Sequence, residues 1–174
     1  MVRLIEIDRT NVRAMVLLEL KPEQRAWVSG PAWSLARCYV KFFGDNFEHT
    51  PRIIEGGGQI VGFATIACDP ASETDYWIDD IMIDHRFQGR RYGRAAILET
   101  LHAITKRYPL CRGVQLTCFR ANTLAAKLYL SLGFVPTGAV DDEFGEPTYI
   151  LKGAALEQYR SFLNAARPTG SGPG

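Results

Sequence analysis

Residues 84–101, DHRFQGRRYGRAAILETL, place two glycines and four arginines directly before an apolar helical run. The start of a helix offers backbone N–H groups without intrahelical partners and the positive end of the helix dipole. Gly89 and Gly93 let the backbone approach a ligand closely, and the arginines, Arg86, Arg90, Arg91 and Arg94, add charge-assisted donors. The stretch predicts an anion site; the alternative is a surface helix with solvated arginines.

Two adjacent carboxylates lie just upstream, in the strand Trp77-Ile78-Asp79-Asp80-Ile81. Strand alternation predicts Trp77, Asp79 and Ile81 on one face and Ile78, Asp80 and Met82 on the other. Carboxylates inside a core strand are costly unless they are partnered or face a cleft. The pair is therefore a candidate for acid–base or cation-binding chemistry; the alternative is that both lie solvated near the strand end.

The elements that would position these residues follow the order β α α β β β α β α β β, which predicts a mixed α/β fold. A helix follows each of the two central strands. The strands are predicted over 2–7, 52–55, 59–67, 75–83, 114–119, 135–140 and 148–152. The helices are predicted from a Thr10-Asn11 cap to Leu20, from a Ser34 cap to about Phe43, from the glycine-arginine loop to about Lys106, and over 123–132.

Composition limits the function classes. The chain has 174 residues, a net charge of +1, 47% hydrophobic and 22% charged residues, which is typical of a globular protein and argues against nucleic-acid binding. We find no signal peptide and no apolar run near the ~20 residues of a membrane helix, so we expect a cytoplasmic protein with no membrane partner. The four cysteines form no CxxC pair and the three histidines show no ligand spacing, so we expect no metal.

The glycine-arginine loop matches neither GxxxxGK[ST] nor GxGxxG. Instead, 88–93 (QGRRYG) resembles the [QR]xxGx[GA] pyrophosphate loop of the GNAT superfamily of N-acetyltransferases. In this register Arg91 stands where the family has a glycine. A register that begins at Arg90 matches without a mismatch but moves the loop two residues from the strand, so we keep the register that begins at Gln88.

A second motif strengthens the resemblance. Residues 119–134, FRANTLAAKLYLSLGF, are similar to the family pattern NxxAxxLYxxxGF. Asn122 begins a helix and Tyr129 follows seven residues later, so both lie on one face; the alternative is a capping asparagine and a core tyrosine. The resemblance covers about 4–151. It implies a GNAT fold: a mixed central sheet of about six to seven strands, flanked by about four helices, with splayed central parallel strands that bind the cofactor. We expect one such domain over 1–153, a short helix over 154–166 and a flexible tail over 167–174.

The resemblance also implies a reaction, transfer of acetyl from acetyl-CoA to a primary amine by direct attack in a ternary complex. Tyr129 is the implied proton donor to the thiolate. By analogy with polyamine-acetylating members, Asp79 is the implied base, through water, and Asp80 a cation ligand. The residues expected at the cofactor are Ile81, Met82, Ile83, Gln88, Gly89, Arg90, Arg91, Tyr92, Gly93, Arg94, Asn122 and Tyr129.

Residues 21–39 resemble the start of bacterial spermine/spermidine and diamine N-acetyltransferases, which adds Glu23, Gln24 and Trp27 as acceptor-side candidates. An acidic hairpin tip near residues 141–146 would attract a polycation, although such a tip is equally ordinary surface. We therefore expect a polyamine or diamine acceptor. The alternatives are another amine (a protein N-terminus, an amino acid or an aminoglycoside) and a non-catalytic CoA-binding module. A homodimer is common in the family and is expected here.

Overall fold

The computed structural model describes residues 1–28, 30–44, 46–141 and 144–165. Its strands form one seven-stranded mixed sheet in the order β1-β2-β3-β4-β5-β7-β6. The strands are β1 Val2–Ile5, β2 Glu48–Gly56, β3 Gln59–Cys68, β4 Tyr76–Ile83, β5 Gly113–Thr117, β6 Val135–Val140 and β7 Pro147–Lys152. The helices are α1 Val12–Val16, α2 Pro31–Tyr39, α3 Tyr92–Arg107, α4 Thr123–Ser131 and α5 Gly153–Ala165, with 3-10 turns at Pro22–Gln24 and His85–Phe87.

The predicted fold class is confirmed. Neighbouring strands pair antiparallel except β4 and β5, which are parallel. In the described chain these two central strands are joined at one residue pair, Trp77 with Gln115. Their remaining residues diverge, which gives the splayed centre that the sequence predicts.

Apolar side chains fill both faces of the sheet. On one face, Ile97 and Leu101 of α3 pack against Ile78 of β4 within the largest buried cluster. On the other face, Met15 of α1 packs with Met82 of β4 and with neighbouring residues of β2 and β3. The core therefore holds β4 from both sides and fixes the strand that carries the two carboxylates.

The prediction that α1 runs to Leu20 is wrong, because the helix ends at Val16. Beyond it, the backbone of Glu19 bonds to the segment that follows β4: its N–H donates to Asp84 at 3.0 Å and its carbonyl accepts from His85 at 2.9 Å. These tertiary bonds use backbone groups that a longer helix would need for itself. The predicted caps also differ, since the Asn11 side chain bonds Asp8 and Glu6 and does not cap α1.

The second helix is also shifted. A helix from a Ser34 cap to Phe43 is predicted, but α2 begins at Pro31 after the N-cap Gly30 and ends at Tyr39. Proline at the first helical position suits a helix start, because its missing N–H would have no partner there. Ser34 thus lies inside the helix and faces the sheet.

At the C-terminus, α5 occupies Gly153–Ala165, where the sequence predicts a helix over 154–166. The expected tail, 167–174, lies outside the described residues. No helix in the described ranges is both long and apolar enough to cross a membrane.

A buried carboxylate fixes the turn between β4 and α3. Asp84 is fully buried, and its oxygens accept from the guanidinium of Arg86 at 2.8 Å, from the Arg86 backbone N–H and from the N–H of Glu19. Burial acts to raise the pKa of Asp84, but the bonds from Arg86 and Glu19 outweigh it and lower that pKa to about 2. The charged carboxylate therefore stabilises the start of the anion-site loop.

We predict that Asp84→Asn lowers the free energy of unfolding by about 2 kcal/mol at pH 7. Because the pKa is lower in the folded than in the unfolded state, this stabilisation is present above about pH 4 and is lost as pH falls towards 2. Chemical denaturation of both proteins at pH 7 and pH 3 measures the difference, which should shrink in acid. Glu6→Gln, at a side chain that is 85% exposed, is the control, with little change at either pH. An equal Asp84→Asn effect at both pH values would contradict the account.

Candidate active site

A cavity of about 820 Å³ lies where β4 and β5 diverge. Its walls come from both strands, α4, the β6–β7 hairpin, the end of α2 and the segment around Trp27. Several predicted site residues meet in this one space: Asp79, Asp80, Ile81, Asn122, Tyr129 and Trp27. The divergence of the strands thus brings the expected proton donor and the expected base to a single cleft.

The expected anion loop leads directly into α3. Gly89 has a φ of +77° and Arg91, the N-cap residue, has a φ of +64°. Arg91 therefore adopts the left-handed conformation at the position where the family pattern has glycine. This conformation costs a residue with a side chain roughly 1–2 kcal/mol, a cost that a glycine at this position would not carry.

Gly93 provides a test of whether this helix start fits a ligand. A Cβ on Gly93 would meet only ordinary contacts, Leu128 at 3.8 Å and Ile83 at 4.0 Å, and the φ of Gly93 is not in the left-handed region. Neither packing nor backbone conformation requires glycine here. A pyrophosphate bound at the first N–H groups of α3 would supply a reason for glycine here, because a side chain at position 93 would then stand close to the ligand.

The other loop residues divide into anchors and surface charges. The Tyr92 ring packs against Gly56 of β2 and lies 6.4 Å from the ring of Phe87. Arg90 and Arg91 are exposed, and Arg94 donates to Ser131 of α4 at 3.2 Å. Tyr92 fixes the start of the helix, and the exposed guanidinium groups surround it with positive charge.

The expected cofactor strand has an open edge. Beyond Trp77, no described residue of β5 pairs with β4, so β5 leaves the backbone of 81–83 uncovered. Met82 and Ile83 are buried, and the carbonyl of Ile83 accepts from the Gln88 side chain at 3.0 Å. The residues at this edge and at the α3 start thus fit an extended ligand that ends in a pyrophosphate.

Two of the expected acceptor-side residues lie outside the cavity lining. Gln24 and Gln88 exchange amide hydrogen bonds, at 2.9 and 3.3 Å, and Gln88 also donates to the carbonyl of Ile83 at 3.0 Å. Glu23 is exposed on the neighbouring 3-10 turn. Gln24 therefore connects the segment that carries Trp27 to the anion loop. Of the three residues expected on this segment, Trp27 lines the cavity.

Helix α4 carries the expected proton donor. Asn122 caps the helix by accepting from the N–H of Ala125 at 3.2 Å, and it also lines the cavity. Tyr129, two turns later, is 7% exposed, and its hydroxyl donates to none of the residues that the structure describes. Burial, with lesser contributions from Cys118, Glu146 and Tyr149, raises the pKa of Tyr129. Its phenol is therefore protonated at neutral pH and can donate to a group in the cavity.

The acidic pair does not follow simple strand alternation. A β-bulge places Asp79 between the register pairs Thr65–Asp80 and Ile66–Ile78. As a result, Ile78 packs with α3 whereas Met82 packs with α1, although alternation predicts one face for both. That prediction is wrong because the extra residue reverses the phase of the strand. Both carboxylates contact the same buried residue of α2.

That residue is Arg37, which sequence reasoning missed. Its guanidinium lies 3.4 Å from Asp79 Oδ1 and 4.0 Å from Asp80 Oδ2, and Ser34, one helical turn earlier, donates to Asp80 at 2.7 Å. The spacing of Ser34 and Arg37, three residues apart on an otherwise apolar helix face, was a usable signal. It was lost because the helix was expected to start four residues too late.

The tip of the β6–β7 hairpin carries acidic groups that shape its turn and line the cavity. Asp141 accepts from the N–H groups of Phe144 and Glu146, which shapes the turn. Asp141 and Glu146 also line the cavity. Asp142 and Glu143 lie outside the described residues. Among the described lining residues, five are acidic (Asp75, Asp79, Asp80, Asp141 and Glu146) and two are basic (Arg25 and Arg37).

Comparison with known proteins identifies the family to which this fold belongs. The chain belongs to the Acetyltransferase (GNAT) family, whose pattern its residues 12–134 match. It is similar to the spermine/spermidine N(1)-acetyltransferase of Bacillus subtilis (strain 168), with 30% identity over 89 residues. That match covers 48% of this chain and 58% of the relative, so it spans little more than half of the relative's length.

Solved structures share the fold. The spermidine N-acetyltransferase from Vibrio cholerae, in complex with CoA and spermine, has a TM-score of 0.66 at 17% identity, over 90% of this chain and 98% of that chain. The aminoglycoside acetyltransferase AAC(6')-Ib, in complex with coenzyme A, has a TM-score of 0.71 at 16% identity, over 92% and 99%. The same fold thus occurs in a spermidine acetyltransferase and in an aminoglycoside acetyltransferase.

We predict that Gly93→Ala has opposite effects on stability and on ligand affinity. Alanine suits a helix better than glycine, by roughly 0.5–1 kcal/mol, and its Cβ has room in the protein, so the melting temperature should rise slightly. The same methyl group would narrow the cradle at the α3 start, so the affinity for coenzyme A should fall about 10-fold or more. Calorimetric titration with coenzyme A measures this.

Gly30→Ala is the matched control, because a Cβ there meets nothing within 4 Å and the residue lies at another helix start. Its affinity for coenzyme A should equal that of the unmodified protein. Full affinity in Gly93→Ala would show that the ligand does not approach this glycine.

Proposed function

We propose that this chain transfers the acetyl group of acetyl-CoA to a primary amine of a polyamine or diamine, by direct attack in a ternary complex. One observation carries the proposal: Tyr129 and the carboxylates Asp79 and Asp80 line the same cavity, at the opening between β4 and β5. The proposal is supported by family membership and by the spermine/spermidine N(1)-acetyltransferase relative.

The cofactor would be held by the backbone and by fixed charges. The open edge of β4 at 81–83 would receive the extended arm, and the α3 start, with Gly89, Arg91 and Gly93, would receive the pyrophosphate. When bound, acetyl-CoA supplies an activated acyl group and a thiolate leaving group. Within the described ranges, no set of three or more His, Cys, Asp or Glu side chains is placed to hold a metal ion.

The amine must lose a proton before it can attack. With a pKa near ~10.4, about one primary amine in ~2,500 is neutral at pH 7, so deprotonation costs about 4–5 kcal/mol. Asp79 would take the proton through a water molecule, and Asp80 would hold the ammonium ion as it arrives. An aspartate has a shorter side chain than glutamate, which favours a bridging water.

Tyr129 would act at the other end of the reaction. The departing thiolate, with a pKa around ~8.5, is stabilised by a hydrogen-bond donor. Since burial raises the pKa of Tyr129, the phenol stays protonated and its hydroxyl is available to donate. Because the phenol is a weaker acid than the thiol, its contribution depends on its position at the sulfur atom.

The excess of acidic over basic groups among the described cavity residues supports a cationic acceptor. An aminoglycoside is a second candidate, because it is also a polycation and the aminoglycoside acetyltransferase shares the fold. The homodimer and the cytoplasmic location stay predictions from the sequence.

The test of the function is thiol release from acetyl-CoA with a panel of acceptors: spermidine, spermine, putrescine, a lysine peptide and kanamycin. We expect the highest kcat/KM with a polyamine or diamine, because the net negative cavity favours a flexible polycation. Turnover restricted to kanamycin or to the lysine peptide would retain the acetyl transfer and reject the polyamine. Binding of acetyl-CoA without turnover on any amine would indicate a binding module.

We predict that Tyr129→Phe lowers kcat roughly 100-fold, the lower range for loss of a positioned acid. The change removes one hydroxyl that donates to no described residue, so the melting temperature and the affinity for coenzyme A should stay close to their original values. Tyr149→Phe is the control, since its ring lies 6.3 Å from that of Tyr129. Equal kcat values in Tyr129→Phe and the unmodified protein would remove Tyr129 from the mechanism.

A further inference from the structure

Arg37 is a buried cation at the acceptor side of the cavity. Its side chain is 7% exposed, and those of Asp79 and Asp80 are each 8% exposed. Burying charged groups is costly, and a buried ion pair is in general weak evidence for stability. An apolar side chain at position 37 would pack in this place without that cost, so the guanidinium calls for a further explanation.

The surroundings of Arg37 fix the position of its guanidinium. The guanidinium carbon lies 4.6 Å from the ring centre of Phe42 and 5.2 Å from that of Phe43, within cation–π range. The His49 ring stacks on the ring of Phe43, with 5.7 Å between the ring centres. The two phenylalanines and Arg37 all line the cavity. The charge is therefore held at one place in the cavity wall, against the bulge that carries both carboxylates.

We propose that Arg37 is a positioning residue that keeps Asp79 and Asp80 ionised together and orients Asp79 for the acceptor amine. Two adjacent carboxylates disfavour each other's charge, and a nearby cation reverses that effect. Among these three side chains, two carry a negative charge and one carries a positive charge, so together they attract the ammonium ion of the acceptor. This inference rests on the proposed function, since it concerns the same base and the same amine.

Other titratable groups lie on the elements around the pair. On α2, burial and then the charges of Asp79 and Asp80 raise the pKa of Cys38 to about 11, so this thiol is neutral. On β2, burial and then Arg37 and Lys41 lower the pKa of His49, so it is neutral at pH 7. β3 faces the bulge with Thr65, which does not titrate. Arg25, Asp141 and Glu146 line the same cavity.

The experiment compares Arg37→Met with Arg37→Lys, using the amine that the unmodified protein acetylates and the pH dependence of kcat/KM. Methionine fills the space without a charge, so the pKa values of the carboxylates should rise. We expect kcat/KM to fall roughly 100-fold at pH 7, because Asp79 loses its orientation towards the amine. The rise in pKa should also move the acidic limb of the profile up by at least about one pH unit. Lysine keeps the positive charge, so the acidic limb of its pH profile should match that of the unmodified protein. Its kcat/KM at pH 7 should be at least about 10-fold higher than that of Arg37→Met.

A double variant separates charge from folding. Arg37→Met combined with Asp80→Asn restores one net negative charge and keeps an oxygen that can accept from Ser34. Its acidic limb should return towards that of the unmodified protein, and KM for acetyl-CoA should stay within about twofold in every variant. If Arg37→Met does not fold, the lysine and double variants supply the same comparison.

An acidic limb that is unchanged in Arg37→Met, or a lysine variant as impaired as the methionine variant, would overturn the inference while the proposed function stands. Absence of turnover in the unmodified protein on every amine tested would instead reject the proposed function. The two failures are distinguished before any variant is made.

Discussion

The parallel strands β4 and β5 are joined at one residue pair, Trp77 with Gln115, and the remaining architecture of the site depends on their divergence beyond it. The divergence opens the cavity and leaves the backbone of β4 uncovered by β5. The helices α3 and α4 follow these two strands. Tyr129 of α4 lines the cavity, and the anion loop, about forty residues earlier in the chain, lies at the start of α3, where Arg94 donates to Ser131 of α4.

A single inserted residue determines the polar side of this cleft. Without the bulge, adjacent aspartates in a core strand would face opposite sides of the sheet. The bulge at Asp79 brings both carboxylates to Arg37 of α2. Bulges near functional sites commonly redirect a side chain, and here the redirected groups form an ionic cluster in the cavity wall. In the proposed mechanism, the bulge adds an acid–base group to a strand that otherwise packs in the core.

Local sequence patterns predicted most of the fold. Turn residues and apolar periodicity identified the hairpins and the helices α3 and α4, because these features depend on neighbours in the chain. The end of α1 could not be predicted, since it is set by bonds from Glu19 to residues 84 and 85. The bulge was missed for a related reason: register depends on the partner strand β3. Arg37 was missed because the start of α2 was predicted four residues too late, and its partners, more than forty residues away in the chain, do not follow from local patterns.

We propose that the cleft between β4 and β5 holds the cofactor with its sulfur beside Tyr129 and with the amine beside Asp79. A crystal structure of the protein with CoA and spermine would show both ligands at once. We expect the CoA sulfur within about 3.5 Å of the Tyr129 hydroxyl, with the pyrophosphate at the α3 start and a spermine nitrogen on the Asp79 side. A cofactor bound elsewhere, or a sulfur directed away from Tyr129, would contradict it.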